Sequence, residues 1–459
     1  MAKTEMTRGN ITRGILYYSL PLVLGSLFQL TYNLVDSMIL GRFIGKEALA
    51  AAGIASPVMN ILILGISGLC MGASVLMSEF FGAEDYQRLK EELATVMLFG
   101  LLFSSCAALA CILLTPPLLI LLRVPAELTG MTTVYLRIIF LGVPFTYFYN
   151  ALAAALKSVG DSKTPLKFLV LSSVLNCILD LVFIGWLGYG IAWSAIATVI
   201  AQAVSAVLSL IYTSARIPEL SLAPGELRIN RELLKRTLRY GSTTALQQSI
   251  QPICKLAIQS CVNSLGVDTI AAFNAVTRVD DFAFTPEQSI SHGITTFVAQ
   301  NRGHASVMRG REKEDATARI FAGFRKGLQL EVCYWVLICI AVSFLKEPIM
   351  QLFVTEEDSA VIVELGCQYL QTMAFFYLFP AFTNGIQGFF RGCGRMKVTL
   401  LASFIQISLR ALVTNLLAPR LGMYGISFAC VAGWVCMLFY EVPYYFHEKR
   451  TGAFNPPDQ

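Results

Sequence analysis

Asn176 and Asp180 lie four residues apart within residues 166–186, a stretch whose apolar composition predicts a membrane-spanning helix. On a helix this spacing places both side chains on one face, so an amide and a carboxylate can present oxygens to a single small cation. An ionisable residue at membrane depth is costly and is therefore a candidate functional group. The pair predicts a cation-binding position inside a membrane helix.

Two further apolar stretches carry polar groups of the same kind. Thr198 lies in the stretch after Asp180, and Asp36 ends a polar stripe in the first apolar segment. The stripe, at spacings i, i+3, i+4 and i+7, consists of Gln29, Tyr32, Asn33 and Asp36. Such oxygen ligands suit sodium, whereas two carboxylates brought together can instead hold a proton. A structural alternative stays open, in which Asp36 and Asp180 accept hydrogen bonds that hold the helices together.

The composition indicates the class of protein. Of 459 residues, 55% are hydrophobic and only 14% are charged, and the mean hydropathy of +0.62 is typical of a polytopic membrane protein. The 12 cysteines are scattered singly, which predicts neither a disulfide framework nor a metal site other than sodium. The sequence has no nucleotide-binding glycine motif and no plausibly spaced nucleophile and base, so we expect neither an enzyme nor a cofactor. The net charge of +5 indicates membrane orientation and no nucleic-acid partner.

Hydropathy predicts twelve transmembrane helices, which places both termini on one side of the membrane. Lys and Arg residues concentrate in the loops on that side. Because basic residues favour cytoplasmic loops, we expect a multi-pass protein of the cell (inner) membrane with both termini in the cytoplasm. The predicted spans are residues 14–40, 50–78, 93–115, 131–156, 165–186, 190–214, 237–264, 270–299, 317–345, 361–390, 398–418 and 422–446.

The two halves of the chain resemble each other. Residues 45–51 match residues 266–272 at an offset of 221, and Gly160 matches Gly394 at an offset of 234. The predicted fold class is therefore all-α, with two six-helix parallel repeats that form an N lobe and a C lobe around a central cavity. The predicted parts are the N-terminal lobe at 1–214, a cytoplasmic linker at 215–236, the C-terminal lobe at 237–446 and a cytoplasmic tail at 447–459.

The candidate cation ligands are predicted to lie at one depth of the membrane. The set comprises Asp36, Asn176, Asp180 and Thr198. Counting inward from the outer ends of their helices puts all four side chains within about 8 Å of one another along the membrane normal. Three helices of the N-terminal lobe thus bring two carboxylates, an amide and a hydroxyl to one layer. Asn150, in the fourth helix, is a further polar group expected to face the interior of this lobe.

Several short motifs together resemble those of a known family. They are Pro21 with Asn33-Leu-Val-Asp36, Phe81-Gly82-Ala83, Gly160-Asp-Ser-Lys-Thr-Pro165, Asn176 to Asp180, and Gln300-Asn301-Arg302-Gly303. On these motifs the chain resembles the multidrug and toxic compound extrusion (MATE) family of secondary transporters, in its DinF-like branch. The resemblance implies an antiporter that exports amphipathic, often cationic compounds by alternating access, driven by sodium or protons. It also implies that the four candidate ligands of the N-terminal lobe take the coupling cation.

The C-terminal half carries six charged residues within apolar segments. They are Lys255, Arg278, Asp280, Asp281, Glu287 and Arg410. In a structural interpretation, Arg278 pairs with Asp280 or Asp281, and Lys255 meets another acid across a helix interface. In a functional interpretation, acids of this group line the cavity and attract cationic substrates or relay protons. The seventh helix carries no acid, unlike the branch of the family that has an essential glutamate there.

The expected substrate is a small amphipathic molecule, and the lipid bilayer is the surrounding partner. The residues predicted to contact the substrate are Gln29, Tyr32, Asn33, Asn150, Asp281 and Glu287. An alternative is a flippase of the same superfamily that moves a lipid-linked or anionic amphiphile, which the basic residues Lys255, Arg278 and Arg410 would favour. A monomer is expected for a two-lobe fold. The sequence leaves open both the identity of the substrate and the choice between sodium and protons.

Overall fold

The computed structural model describes residues 6–352, 359–452 and 454, and within them the chain forms fourteen α-helices and no β-strand. Short loops join most of the helices. The helices are α1 Ile11–Phe43, α2 Lys46–Gly82, α3 Tyr86–Leu121, α4 Ala126–Leu141, α5 Val143–Ser158, α6 Lys163–Asp180, α7 Ile191–Arg216, α8 Arg231–Asn263, α9 Val267–Val307, α10 Gly310–Gln351, α11 Ser359–Phe376, α12 Leu378–Gly392, α13 Met396–Leu421 and α14 Met423–Arg450.

Two of the predicted membrane spans are bent helix pairs rather than single helices. α4 and α5 meet at Gly142 with a bend of 42°, and α11 and α12 meet at Tyr377 with a bend of 49°. Pro144 follows the first bend and Pro380 the second, and a proline nitrogen cannot donate the backbone hydrogen bond that would continue a straight helix. The continuous helices expected at residues 131–156 and 361–390 are therefore corrected to broken ones.

Counting each bent pair as one span gives twelve spans among the described residues, the number predicted from hydropathy. Eight single helices are long and apolar enough to cross a membrane, and the two bent pairs pass the same test. The other two helices, α8 and α9, have 33 and 41 residues and are long enough to cross, but they carry more polar side chains. The prediction of an all-α, twelve-span membrane protein is confirmed.

The two halves repeat the same order of helices and the same turn conformations. In each half the fourth span is the bent one. Gly45 and Gly266, which precede α2 and α9, have φ of 110° and 105°. Gly160 and Gly394, which precede α6 and α13, have φ of 87° and 73°. These left-handed conformations favour glycine, which explains why the sequence match between the halves concentrates in the loops.

One compact unit of the structure contains Leu24–Ala245. Its core includes the buried side chains of Leu76, Phe140 and Tyr147. Within this unit α2 approaches the beginning of α8 so closely that a Cβ atom on Gly72 would lie 2.4 Å from the backbone nitrogen of Gly241. Glycine is required at this contact because the backbones of the two helices touch.

A second compact unit contains residues 6–23 and the described residues from Leu246 onward. Its cores include the buried rings of Phe297, Phe389 and Tyr369. Both α1 and α8 therefore contribute their beginning to one unit and their remainder to the other. The change of unit in α1 falls between Pro21, which interrupts the backbone hydrogen bonding of the helix, and Gly25. The compact units are bounded differently from the predicted lobes at 1–214 and 237–446: the beginning of α1 belongs to the second unit, and residues 215–245, which include the predicted linker, belong to the first. The division into lobes and linker stays a prediction.

Candidate cation site

Helix α6 positions Asn176 and Asp180 on one face, and each side chain is 1% exposed. Asp161 stabilises the start of this helix, because one of its carboxylate oxygens accepts from the backbone nitrogens of Lys163 at 3.1 Å and Thr164 at 3.0 Å. The regular α-helix ends at Asp180, and the chain continues in π-helical geometry over Leu181–Trp186. Such π-helical turns are frequent at functional sites of helical proteins.

The amide of Asn176 connects three helices. We assign its orientation from its partners: the nitrogen donates to Asp180 Oδ2 at 3.1 Å and to the hydroxyl of Tyr32 on α1 at 2.6 Å. The oxygen accepts from Oγ1 and the backbone nitrogen of Thr198 on α7, at 3.2 and 3.1 Å. The opposite orientation joins Asn176 to the same Tyr32 and Thr198 hydroxyls but loses the bond to Asp180. Asn176 thus holds α1, α6 and α7 together at the candidate site.

The carboxyl groups of Asp36 and Asp180 lie within hydrogen-bonding reach of each other. The Ser194 hydroxyl bonds to Asp180, but Oδ1 of each aspartate is buried and has no hydrogen-bond partner among the described residues. Neither carboxylate forms an ion pair within the described part of the chain. Two carboxylates this close repel each other strongly when both are ionised in a medium of low dielectric constant. The arrangement therefore suits a proton or a small cation between the two groups.

The structure brings together all four predicted cation ligands, and three of the predicted cavity residues make hydrogen bonds within their own helices. Gln29 donates to Asn33 at 3.1 Å within α1, and Asn33 is exposed. Asn150 uses its amide nitrogen on the carbonyl of Thr146, one turn earlier in α5, at 2.8 Å. Tyr32 is the member of the predicted cavity set that contacts the site directly. A substrate contact for these residues stays a prediction.

The charged residues of the C-terminal half include an exposed ion pair, the exposed Arg278, and the buried Asp280 and Glu287. Lys255 and Asp281 form an ion pair of 3.0 Å between α8 and α9, which confirms the prediction for Lys255. Arg278 is exposed and makes no ion pair with either neighbouring aspartate in the described structure.

Asp280 and Glu287 belong to the buried groups. Asp280 accepts hydrogen bonds from the hydroxyls of Tyr369 at 2.7 Å and Tyr377 at 2.6 Å, and Arg410 lies close by. Glu287 is 1% exposed and accepts from the Asn384 amide at 3.3 Å. Asp280 is thus surrounded by donors, whereas Glu287 has one long hydrogen bond.

Two residues of the buried polar clusters, Ser194 and Glu331, were not predicted from the sequence. Ser194 precedes Thr198 by four residues on α7, so helical spacing alone placed it on the same face as a predicted ligand. Glu331 lies in α10, is fully buried, and is a single acid within an otherwise apolar part of a predicted span. The signal was the one used for Asp180, an isolated carboxylate at membrane depth.

Twelve spans with buried carboxylate, amide and hydroxyl groups gathered from three helices define a polytopic membrane transporter. The family model described as MatE matches residues 21–182 and 244–417. The chain therefore belongs to the MatE family, whose members are transporters and not enzymes. The family resemblance noted in the motifs is confirmed.

Individual relatives and a solved structure extend the comparison. The chain is 29% identical over 432 residues to the probable multidrug resistance protein YpnP of Bacillus subtilis, covering 93% of each chain. It is 25% identical over 369 residues to an FAD transporter of Shewanella oneidensis, covering 78% of this chain and 79% of the relative. The structure of a MOP superfamily transporter from Pyrococcus furiosus, whose binding pocket is described as having reverse polarity, superposes with a TM-score of 0.88 at 21% identity over 99% of both chains. That likeness shows the fold.

Proposed function

We propose that this protein is a cation-coupled antiporter that exports amphipathic, often cationic compounds by alternating access. The observation that carries the proposal is the buried contact between Asp36 and Asp180, each with an oxygen that has no hydrogen-bond partner among the described residues. Such a contact is stable when a cation or proton lies between the carboxyl groups and repulsive when it leaves. Occupancy of the site can therefore drive a change of conformation. The multidrug relatives support drug export.

Helix α1 is the element through which we expect cation binding to act. It carries Asp36 and Tyr32, while its beginning, up to Val23, belongs to the other compact unit. Pro21 leaves a backbone carbonyl without its helical partner close to that change of unit, so the helix can bend there. Neutralising Asp36 removes its repulsion with Asp180 and lets α1 approach α6. Loss of the cation reverses the movement.

The orientation of the Asn176 amide favours a proton over sodium as the coupling ion. Its nitrogen faces Asp180 and Tyr32, and its oxygen is already occupied by Thr198. A sodium ion between the carboxylates requires several oxygen ligands, which the Asn176 oxygen does not supply in this orientation. A proton needs only the two facing carboxyl groups. We therefore propose protons as the first ion to test, with sodium as the alternative.

The excess of basic residues in alternate loops supports a cell (inner) membrane protein with both termini in the cytoplasm. In this orientation Asp36 and Asp180 lie nearer the outer surface, where protons enter. We propose a monomer as the functional form, because one chain supplies both six-helix repeats.

The test measures efflux of a fluorescent organic cation from proteoliposomes that hold the purified protein. An imposed proton gradient and an imposed sodium gradient are compared, each with the wild-type protein and with Asp36→Asn. We expect proton-driven efflux that Asp36→Asn abolishes, because the variant removes one of the two carboxyl groups. Asp315→Asn, which changes an exposed aspartate at the beginning of α10, is the matched control and should transport normally. Normal gradient-driven efflux by Asp36→Asn would overturn the proposal.

A second candidate function is movement of an anionic or lipid-linked amphiphile by the same fold. The FAD transporter among the relatives and the exposed Arg278 favour it. Against it, Lys255 is paired with Asp281 and Arg410 lies beside Asp280, so two of the three basic residues are balanced by acids. The same proteoliposomes loaded with FAD distinguish the two functions. Gradient-driven efflux of FAD without efflux of organic cations would favour this candidate.

A further inference from the structure

Two buried glutamates approach each other within the second compact unit, well apart in sequence from the aspartate site. Glu287 on α9 is 1% exposed and Glu331 on α10 is fully buried. The two carboxyl groups are close enough to interact electrostatically. Helix α12 closes the site: Asn384 donates to Glu287, and a Cβ atom on Gly385 would lie 3.8 Å from Glu331 Cγ. Three helices thus enclose the pair.

The pair lacks the partners that would stabilise two negative charges. Neither carboxylate oxygen of Glu331 has a hydrogen-bond partner among the described residues, although both are buried. Glu287 receives one hydrogen bond, from Asn384 Nδ2 to Oε2 at 3.3 Å. Neither glutamate forms an ion pair with a basic side chain in the described ranges. A buried ionised carboxylate without partners is strongly destabilising, and two adjacent ones are more so.

The other polar groups around the pair do not supply the missing charge or donors. Tyr334 on α10 and Tyr377 next to α12 are the titratable side chains that interact with it electrostatically. The Tyr334 hydroxyl donates to the Ala283 carbonyl at 3.0 Å, and the Tyr377 hydroxyl donates to Asp280. The beginning of α1 meets α9 through uncharged groups, with the Tyr18 hydroxyl 2.9 Å from that of Thr296. His292 follows Glu287 by five residues on α9 itself.

We propose that Glu287 and Glu331 form a second proton-binding site, separate from Asp36 and Asp180, which exchanges its proton during the transport cycle. In the loaded form one glutamate is a carboxylic acid and the other is a carboxylate, so the pair carries one negative charge instead of two. When the proton leaves to water, both groups are ionised and repel, which separates α9 from α10. A metal cation fits less well, because Asn384 presents its amide nitrogen to the pair and few further oxygens are available. The proposal that this proton exchanges during the transport cycle rests on the proposed proton coupling, whereas the proposal that the pair binds a proton does not.

The test reads the protons directly and does not depend on transport. Infrared difference spectra between acidic and alkaline buffer report buried carboxylic acids through their C=O stretch. The full-length protein is measured in lipid nanodiscs as Asp36→Asn/Asp180→Asn, which removes the first site. Glu92, Asp280 and Glu441 are further buried carboxyl groups, so the spectrum contains several C=O components. On this background we expect one titrating component that is lost when Glu287→Gln and Glu331→Gln are added together.

Single variants and a control variant identify the groups that give rise to this component. Either variant alone should shift the pH at which this component titrates, because the remaining glutamate no longer faces a second carboxylate. Glu364→Gln, an exposed glutamate of α11, is the matched control and should leave the component unchanged. A titrating component that is the same in the Asp36→Asn/Asp180→Asn background alone, in both single variants and in the double variant overturns the site. A C=O component of the absolute spectra that the double variant removes, but that is absent from the difference between the two buffers, shows a fixed proton and overturns the exchange. If Asp36 and Asp180 do not couple transport to protons, the Asp36→Asn transport assay shows it, and the infrared result is not affected.

Discussion

Replacing Tyr369 or Tyr377 with Phe is expected to destabilise the protein, because each hydroxyl donates to the buried carboxylate of Asp280. The oxygen–oxygen distances are 2.7 Å for Tyr369 and 2.6 Å for Tyr377, and all three side chains are buried. A hydrogen bond to a charged group contributes about 1.5–3 kcal/mol, so each Phe variant should lose about that much of the free energy of unfolding. Arg410 still compensates part of the charge in either variant.

Thermal unfolding of the purified variants in detergent measures this effect. Each should unfold several degrees below the wild type, whereas Tyr424→Phe, which removes an exposed hydroxyl, should unfold like the wild type. Both buried variants should retain gradient-driven transport, because the hydrogen-bond donors that surround Asp280 favour the structural interpretation of this residue. Unchanged midpoints would refute the energetic reasoning. Loss of transport in Asp280→Asn without loss of stability would refute the structural role.

Two further perturbations test contacts within the separate units. Gly72→Ala should lower the free energy of unfolding by about 1–3 kcal/mol, because its Cβ would lie 2.4 Å from the backbone nitrogen of Gly241. Gly65→Ala, on the same helix with open space around it, is the control and should leave thermal unfolding unchanged. Arg319→Lys should speed hydrogen exchange at residues 6–10, because the guanidinium binds three backbone carbonyls of residues 6–9 that one ammonium cannot reach together. Unchanged hydrogen exchange at residues 6–10 would contradict the expectation that Arg319 holds this segment in place.

The convergence of the cation ligands was predictable from sequence because membrane helices constrain depth. Once the apolar runs are recognised, the rise per residue fixes the level of Asp36, Asn176 and Asp180, and helical spacing fixes the shared face of the last two. The hydrogen-bonded contacts of Asn176 with Tyr32 and Thr198 follow from that geometry. The internal repeat was visible for a related reason, since glycines with positive φ recur at equivalent loops.

Other features depend on contacts that periodicity does not encode. The bends at Gly142 and Tyr377 fall inside continuous apolar runs, and hydropathy registers such a run as one span. The pairing of Glu287 with Glu331 requires knowing that α9 and α10 pack with these faces together, which a single sequence does not specify. The ion pair of Arg278 with Asp280 or Asp281, expected in the structural interpretation, was wrong. Asp280 accepts from Tyr369 and Tyr377, which lie far from it in the sequence, and Asp281 pairs with Lys255.

Proton coupling through Asp36 and Asp180 predicts that a substrate gradient alone drives proton movement. Proteoliposomes with a pH-sensitive dye inside are given an inward or outward gradient of an organic cation, with no ion gradient imposed. If Asp36 and Asp180 couple transport to protons, wild-type protein moves protons opposite to the substrate, and Asp36→Asn moves none, while the Asp315→Asn control matches the wild type. Equal proton movement by wild type and Asp36→Asn, or substrate movement by wild type without any proton or sodium movement, would contradict the claim.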